Sequence, residues 1–363
     1  MANNVTLHQK NKDGAYDNLY PRTTADHTML TSATGTKYGL TDGNAEQAVG
    51  ISMQFIQTIG AISIYVKDPL GNPIEGAIIQ GLTGNPSTNA SGFVQGTLVN
   101  NPITVKSPYA DLKDKSVDAS GYVGTTRALN VTLDSIGENG IVRYTSSTNV
   151  KFSPVTKTVD VCCVGGGGGG GRGSTSATYG FYTGAGGGGG GIVNKMGLSV
   201  EPNKYYPLSI AMGGAVGNSG GNTTAFGVSA PGGTGATLGE YPYYDLYPGK
   251  AGVVGCGDGS RAETTTGNYN TTVSEFNDGV IFYSGGGAGG RTETNSPYSG
   301  GTPNGADGAW ARYGEGKVAG YAGIGGGGGG MAGYYNQNYP ETNVTASASR
   351  GGSGLVAIRI HLS

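Results

Sequence analysis

The residues that most resemble a chemical site form a glycine run after an alternating apolar segment, VDVCCVGGGGGGGRGST at 159–175. Any such run contains G-x-G-x-x-G, the pattern with which dinucleotide-binding folds hold a pyrophosphate. That chemistry needs a helix directly after the glycines and an acidic residue about 20 positions further on. The residues after Gly171 are RGSTSATYGFYTGAGGGGGG, which have neither a helical period nor an acidic residue. A P-loop is excluded as well, because no run ends in G-K-[ST].

Residue types that perform acid–base or metal chemistry are sparse. The chain has 24 Asp and Glu, 3 His and 3 Cys in 363 residues, and no His lies near a cysteine or an acidic cluster. We therefore expect no catalytic residue, no metal and no cofactor. Two carboxylates could still meet in space, so a polysaccharide-cleaving pair stays open as an alternative. Acidic residues scattered through the glycine-rich part include Glu201, Glu240, Asp245, Asp258, Glu263, Glu275, Asp278, Glu293, Asp307, Glu315 and Glu341.

Charge and hydropathy argue against two kinds of partner. Only 13% of the residues are charged, the formal net charge is −2, and no Lys/Arg cluster is present, so we expect no nucleic-acid binding. The first residues lack the basic and then apolar pattern of a signal peptide. The segment VGISMQFIQTIGAISIYV is interrupted by Gly, Gln and Ser before it could span a bilayer. We expect a protein made in a cytoplasm, without membrane insertion.

The cysteines are predicted to be structural. Cys162 and Cys163 are neighbours in an alternating segment, so their side chains should face opposite sides of a strand and pair poorly with each other. Cys256 stands alone. The expected role is that of small buried hydrophobic residues.

The elements that must position any site change character along the chain. Residues 1–60 are polar and end in a short predicted helix over 44–59, where Asn44 and Gln47 resemble a capping box. This helix either packs on its own domain or forms a seam between subunits. Residues 61–136 contain short alternating segments, AISIYV, PITVKS and ALNVTL, separated by turn sequences, which predict a small antiparallel β-sandwich.

Glycine dominates the remainder. Of the 73 glycines, 16 precede residue 141 and 57 follow residue 140. Flexible linkers usually mix Ser with Gly and occur once, whereas these nearly pure runs recur four times between apolar segments. The pattern favours packed extended threefold helices, the glycine counterpart of polyproline II, in which no side chain intrudes. We also expect the alternating segments around Val159 and SGLVAIRIHLS at the end of the chain to pair and close this domain. The predicted fold class is mainly β.

Two stretches resemble known families. ISIYVKDPLGNPIEGAIIQG followed by STNASGFVQGTL is similar to the carboxypeptidase-regulatory-like or transthyretin-like sandwich, which implies a spacer. The order TKTVDVCCVGGGGGGGRG, YTGAGGGGGGIV, YYPLSIAMGGAVGNSGGNTTAFG, GIGGGGGGMAG and GGSGLVAIRIHLS resembles the glycine-rich tip domain of tail fibres of phages and phage-tail-like bacteriocins. The opening YDNLYPRTTADHTMLTSATGTKYGLT is similar to the start of tail-fibre proteins from phages of Gram-positive bacteria.

The resemblance implies a receptor-binding tail-fibre adhesin of a virion or tail-like particle. Residues 1–60 would attach to the baseplate or fibre shaft, 61–136 would be the sandwich spacer, and 137–363 would be the receptor-binding tip. It also implies a homotrimer and a receptor on a bacterial cell surface, either a wall polysaccharide or a surface protein. The alternatives are a polysaccharide-degrading fibre enzyme and a purely structural fibre segment.

Tyrosine-rich loops are the candidate contact sites of such a tip. If the strand at 155–164 and its glycine run travel outward, the loop 172–183 lies at the far end, and the returning chain places 331–349 there as well. Of 23 tyrosines, 16 follow residue 178, and tyrosine suits recognition because it is rigid and amphipathic. The alternative is that these rings cover the sides of the glycine domain. The candidate residues are Tyr179, Phe181, Tyr182, Tyr241, Tyr243, Tyr244, Tyr247, Tyr334, Tyr335, Asn336 and Tyr339.

Overall fold

A computed structural model describes most of the chain from residue 61 onward and three strands before it. The described residues are 7–10, 16–22, 29–32, 61–172, 180–236, 274–278, 286–287, 291–292, 299, 304–312, 315–317, 319–320, 322–329, 332–335 and 344–362. The predicted helix over 44–59 and Cys256 lie outside them.

The described part is mainly β, as predicted, and contains no α-helix. Two short 3₁₀ turns are present, η1 at Ser120–Tyr122 and η2 at Glu275–Asn277. The strands are β1 Leu7–Lys10, β2 Tyr16–Arg22, β3 Met29–Ser32, β4 Ala61–Lys67, β5 Ile78–Gln80, β6 Phe93–Thr97, β7 Ile103–Lys106, β8 Lys115–Val117, β9 Leu129–Thr132, β10 Ile141–Tyr144, β11 Thr148–Val150, β12 Thr156–Val164, β13 Gly180–Thr183, β14 Ile192–Ser199, β15 Tyr206–Ser209, β16 Thr223–Ala225, β17 Val228–Ala230, β18 Arg291–Thr292, β19 Trp310–Arg312, β20 Glu315–Lys317, β21 Ala332–Tyr335, β22 Val344–Ala346 and β23 Leu355–Leu362.

The chain forms two compact units. The first comprises Met1–Pro108 and Asp114–Leu133, and the second comprises Tyr109–Lys113 and Asp134–Ser363. The short segment Tyr109–Lys113 is fixed within the second unit by Asp111, whose buried carboxylate accepts hydrogen bonds from Ser153 and Thr156. The three-part division at residues 60 and 136 stays a prediction.

Two three-stranded sheets of the first unit have the pattern of a small sandwich. Their orders are β6-β4-β9 and β5-β7-β8, and a third sheet has the order β1-β2-β3. Buried and exposed residues alternate along β4, so that Ile62, Ile64 and Val66 are fully buried and the residues between them face outward. The predicted turn after β4 is held by Asp68, which accepts the backbone N–H groups of Leu70 and Asn72.

One pairing in this sandwich differs from the antiparallel arrangement expected from the sequence. Strands β4 and β9 run parallel, with Ile64 opposite Leu129. Between them the chain passes through β5, β7 and β8 of the other sheet, so β9 enters beside β4 from the same end. Parallel neighbours need such a crossover, which strand periodicity alone does not reveal.

The second unit contains two four-stranded sheets that share one core. The closing sheet has the order β10-β23-β12-β14, and its partner has the order β11-β15-β16-β17. Side chains of both sheets meet in one buried cluster that includes Phe152, Val161, Leu208 and Ile358. A second cluster on the opposite face of the closing sheet contains Cys162, Leu355 and Phe276 of η2. Strand β12 is therefore buried on both faces along most of its length.

The predicted closure of the glycine-rich domain by its first and last strands is confirmed. Strands β12 and β23 pair antiparallel, with Val159 opposite Ile360 and Cys163 opposite Val356. Cys162 and Cys163 are buried, unbridged and face different clusters, as predicted.

Candidate functional site

Between the sheets the glycine runs form a bundle of extended segments, here called the glycine bundle. Its central segment is Gly165–Gly171, which continues β12 directly. Six segments surround it, at 185–191, 212–217, 218–221, 231–236, 325–329 and 349–354. The central glycines are fully enclosed by these neighbours.

The backbone hydrogen bonds of the central segment repeat every third residue. Gly165, Gly168 and Gly171 donate to segment 185–191, Gly166 and Gly169 donate to 218–221, and Gly167 and Gly170 donate to 349–352, at N···O distances of 2.8–3.1 Å. The carbonyls of Gly167 and Gly170 accept from 214–217, those of Gly166 and Gly169 accept from 233–236, and that of Gly168 accepts from Gly328. Three directions for donors and three for acceptors define the predicted polyglycine II packing, which satisfies the buried backbone without side chains.

The bundle leaves no room for a β-carbon at its centre. A Cβ on Gly167 would lie 1.9 Å from the carbonyl oxygen of Gly326, and one on Gly170 would lie 1.9 Å from that of Gly329. The obstacles are backbone atoms of neighbouring segments, which cannot rotate away as a side chain can. Glycine is therefore required by the close approach of the chains.

The bundle has two ends with different attachments. At the strand end, segments 165–171, 185–191 and 349–354 run directly into the closing sheet through β12, β14 and β23. At the opposite loop end, segments 185–191, 325–329 and 349–354 connect to β13, β21 and β22, which form one sheet in the order β13-β21-β22. A second small sheet, β18-β19-β20, lies against that sheet.

The loop-end sheet brings together the two segments predicted from the sequence to lie at the far end. Phe181 in β13 pairs with Tyr334 in β21, and Gly180 pairs with Tyr335. Tyr182 lies opposite Gly333 in the same ladder. Two pairs of candidate contact residues, Phe181 with Tyr182 and Tyr334 with Tyr335, thus lie on adjacent strands at the loop end, although the two pairs are more than 150 positions apart in the chain. The others, Tyr179, Tyr241, Tyr243, Tyr244, Tyr247, Asn336 and Tyr339, lie outside the described residues.

Several carboxylates of the glycine-rich part are engaged by cations. Glu275 is buried and receives two hydrogen bonds from the Arg143 guanidinium, at 2.8 and 3.0 Å. Asp278 binds Arg359 at 2.8 Å, and Glu201 binds Lys204 on the surface. Each of these three carboxylates therefore already has a cationic partner.

An ionic network at the strand end ties the last residues of β23 to the closing sheet. The Nδ1 atom of His361 lies 2.9 Å from a Glu138 oxygen, and its Nε2 atom lies 2.8 Å from an Asp160 oxygen. The hydrogen bonds to Glu138 and then Asp160 raise the pKa of His361. The hydrogen bond from the Leu362 N–H has the largest effect on Glu138, and the hydrogen bond with His361 the next largest; both lower the pKa of Glu138. A protonated imidazole donates from both nitrogens, which fits carboxylates on both sides.

The two cysteines of β12 are protected from thiolate chemistry by their surroundings. Burial raises the pKa of Cys162 well above its usual range and that of Cys163 to about 12. Because the thiolate is the reactive form, both thiols are inert at neutral pH.

Within the described residues, no group of three or more His, Cys, Asp or Glu side chains is placed to hold a metal ion. In the same part of the chain, no helix combines the length and apolar character needed to cross a bilayer.

Sequence reasoning missed an aromatic cluster at the strand end. Phe152, Tyr206 and Phe226 pack together, and the rings of Tyr206 and Phe226 are stacked with centroids 4.7 Å apart. Tyr205 beside them is 63% exposed. The available signal was a Phe-Gly pair between two alternating segments, a hairpin position that usually holds Asn-Gly.

A comparison with known families identifies the family of the glycine-rich part. Residues 143–361 match the family described as Glycine-rich domain, and this match covers more than half of the chain. Its limits fall in β10 and β23, two paired strands of the closing sheet. The chain therefore belongs to the glycine-rich domain family. A comparison with curated proteins finds no match.

Proposed function

We propose that the protein is a receptor-binding tail-fibre adhesin that recognises the surface of a bacterial, Gram-positive host cell. The observation that supports the proposal most is the loop-end sheet. It joins β13 and β21 from distant parts of the chain at one end of the glycine bundle. Phe181, Tyr182, Tyr334 and Tyr335 are the proposed contact residues there, together with the neighbouring candidates at 179, 336 and 339.

The bundle suits an adhesin for a physical reason. Its interior is held by backbone hydrogen bonds and contains no side chain that a loop substitution could disturb. Loops attached to a rigid scaffold can change sequence without repacking a core, and binding residues concentrate on such loops. A tip of this kind can change its receptor while its fold stays the same.

The proposal includes an assembly context. The protein would be the distal part of a tail fibre in a virion or tail-like particle, joined to the baseplate or shaft through its N-terminal segment. As a homotrimer it would present three tips, so that weak contacts with a wall polysaccharide or surface protein add by avidity. No chemical step is required for this role.

The test is binding of the labelled full-length protein to a panel of intact Gram-positive strains. A quadruple variant, Phe181→Ser, Tyr182→Ser, Tyr334→Ser and Tyr335→Ser, removes the candidate rings and keeps the chain length. The control variant, Tyr65→Ser, removes a partly exposed ring from β4 in the first unit. We expect strain-selective binding that is lost in the quadruple variant and kept in the control, with both variants folded by circular dichroism.

Other outcomes separate the remaining functions. Steady release of new reducing ends from host wall polysaccharide would replace the adhesin with a depolymerase. The absence of binding to every strain by the intact protein would favour a structural fibre segment.

A further inference from the structure

A groove at the strand end of the second unit has the properties of a ligand site. It is lined by β14 at Leu198 and Ser199, by residues 204–207 at the start of β15, and by the β16–β17 turn at 224–227. Its volume is about 380 Å³. Small-molecule sites usually measure about 300–1,000 Å³ and are mainly apolar with a few polar groups. The groove therefore accommodates a small ligand or one short part of a polymer.

The wall of the groove is formed before any ligand arrives. The turn before Tyr205 is fixed because the Asn203 N–H donates to the Phe152 carbonyl at 3.0 Å, and the Tyr109 hydroxyl bonds to the Asn203 side chain. The Glu201 N–H donates to the Tyr206 hydroxyl at 2.7 Å, which sets the orientation of that ring. A site with fixed rings loses little conformational entropy on binding.

Phe226 has a backbone conformation that is unusual for a bulky residue. It occupies the first central position of the β16–β17 turn with φ +52°, followed by Gly227 with φ +74°. Two positive φ values define the turn in which Asn-Gly is preferred, and a bulky residue there is strained. In this conformation the Phe226 ring stacks on Tyr206, with an interplanar angle of 20°. Residues kept in such conformations cluster at functional sites.

We propose that this aromatic groove is a second binding site and that its ligand is an anionic saccharide. Tyr205, Tyr206 and Phe226 offer apolar ring surfaces against which the C–H faces of a sugar pack. The Lys151 ammonium lies 5.5 Å from the centre of the Tyr205 ring and 4.8 Å from that of Tyr109. Among the described residues, Lys204 is the one charged residue that lines the groove, and its ammonium is held by Glu201.

Charge selects the ligand class. Glu201 already balances the charge of Lys204, whereas Lys151 would attract a phosphate or carboxylate on a sugar and would repel a cationic ligand. A proline-rich peptide would also pack on aromatic rings, but it would gain nothing from the lysines. The proposal relies on the proposed function only for the source of the saccharide, a bacterial surface polymer. The chemical class of the ligand is set by the groove itself.

The experiment is titration calorimetry of the full-length protein with four probes. These are a lipid-free glycerol-phosphate teichoic acid, a glucuronate oligosaccharide, neutral chitohexaose and a proline-rich decapeptide. Tyr205→Ala removes an exposed ring, and Lys151→Met removes the charge next to it. Tyr65→Ala and Lys67→Met are the matched controls on β4 of the first unit, where both side chains are exposed.

We expect at least one anionic probe to bind, with affinity reduced about tenfold by Tyr205→Ala and severalfold by Lys151→Met, and unchanged in both controls. The phosphate and carboxylate probes distinguish the two sources of negative charge. Binding of chitohexaose equal to that of the anionic probes, preference for the peptide, or no binding at all would overturn the proposal.

The loop-end quadruple variant separates this proposal from the proposed function. If saccharide binding is lost in that variant and kept in Tyr205→Ala, the groove is not the site and the loop-end adhesin stands. If binding is kept in the quadruple variant and lost in Tyr205→Ala, the groove binds independently, whether or not the loop end recognises cells.

Discussion

Two regions of the second unit reach a close-packed interior by opposite means. The sheets at the strand end enclose a core of fully buried side chains, among them Phe152, Val161 and Ile358. The glycine bundle directly beside them encloses backbone only, and its chains approach one another so closely that a β-carbon would overlap a carbonyl oxygen. In the sheets, side chains fill the space between backbone layers, whereas in the bundle the absence of side chains lets backbone segments contact one another directly.

The difference decides which force stabilises each region. Burial of apolar side chains stabilises the sheets, by about 25 cal/mol for each Å² removed from water. The bundle has no such side chains at its centre, and ordering glycine costs more backbone entropy than ordering any other residue. Its hydrogen bonds contribute about 1 kcal/mol each, so the sheets at the two ends must hold the segments in register.

The strongest test of the comparison adds one methyl group to the bundle. In Gly167→Ala the new Cβ would lie 1.9 Å from the Gly326 carbonyl oxygen, and both atoms belong to fixed backbone. We expect the second unit to lose more than about 4 kcal/mol, beyond the usual 1–3 kcal/mol for an overpacked side-chain core. Urea denaturation followed by circular dichroism measures the loss.

Gly171→Ala is the matched control at the end of the same run. Its Cβ would lie 3.1 Å from the Ala236 methyl group and 3.4 Å from a carbonyl oxygen, so a small shift accommodates it. We expect a cost below about 1 kcal/mol. Equal stability of the two variants would show that the bundle yields to side chains and that its packing is looser than these distances indicate.

The second test removes atoms from the side-chain core. Ile358 in β23 is fully buried, and Ile358→Ala should cost about 3 kcal/mol, within the range of about 2–5 kcal/mol for such truncations. Because β12 and β23 continue into the bundle, both regions should unfold in one transition, which calorimetry can measure. Ile78→Ala, at a position 45% exposed in the first unit, is the control and should cost less than about 0.5 kcal/mol. Two separate transitions would mean that the bundle is stable without the sheets.

The comparison also explains what the sequence could predict. Pure glycine runs between alternating segments were enough to predict the threefold packing, because few other arrangements satisfy that much bare backbone. The β12–β23 pairing was predictable from matching alternation around Val159 and Ile360. The parallel partner of β4 and the pairing of Arg143 with Glu275 were not predictable, since both depend on chain crossings that bring distant residues together. The groove at Phe226 was missed because a strained turn breaks the usual sequence rule.

The third test concerns the ion pair between buried Glu275 and the more exposed Arg143, on the outer face of the closing sheet. Glu275 is 2% exposed and bonds to Arg143 through both oxygens. Glu275→Gln keeps the shape but removes the charge and one acceptor, so we expect a loss of about 2 kcal/mol. Glu201→Gln breaks a surface pair with Lys204 and should cost less than about 0.5 kcal/mol. If the two substitutions cost the same, η2 does not help to hold the closing sheet.

The smallest effect is expected from the ionic network at the end of β23. The folded pKa of His361 is raised, so its contribution to stability is fully present below its unfolded pKa and is lost as the pH rises through the folded pKa. The folded pKa of Glu138 is lowered, so its contribution is present above its unfolded pKa and is lost as the pH falls through the folded pKa. Between these two limits Glu138 and His361 are both charged and bonded to each other, with Asp160 on the other side of the ring and Arg359 beside Asp160.

Thermal unfolding across pH measures this window in the native chain and in His361→Gln. As the pH rises above the ordinary pKa of histidine, about 6.5, the melting temperature of the native chain should fall relative to that of the variant. The reason is that a neutral ring cannot donate to both carboxylates. The variant has an amide that does not titrate in place of the ring, so its profile should be flatter on that side. Parallel profiles would mean that the pKa of His361 is the same in the folded and unfolded chains and that its bonds to Glu138 and Asp160 do not stabilise the last strand. The end of β23 would then be held by its pairing with β10 and β12, by its buried apolar residues and by the Arg359–Asp278 ion pair.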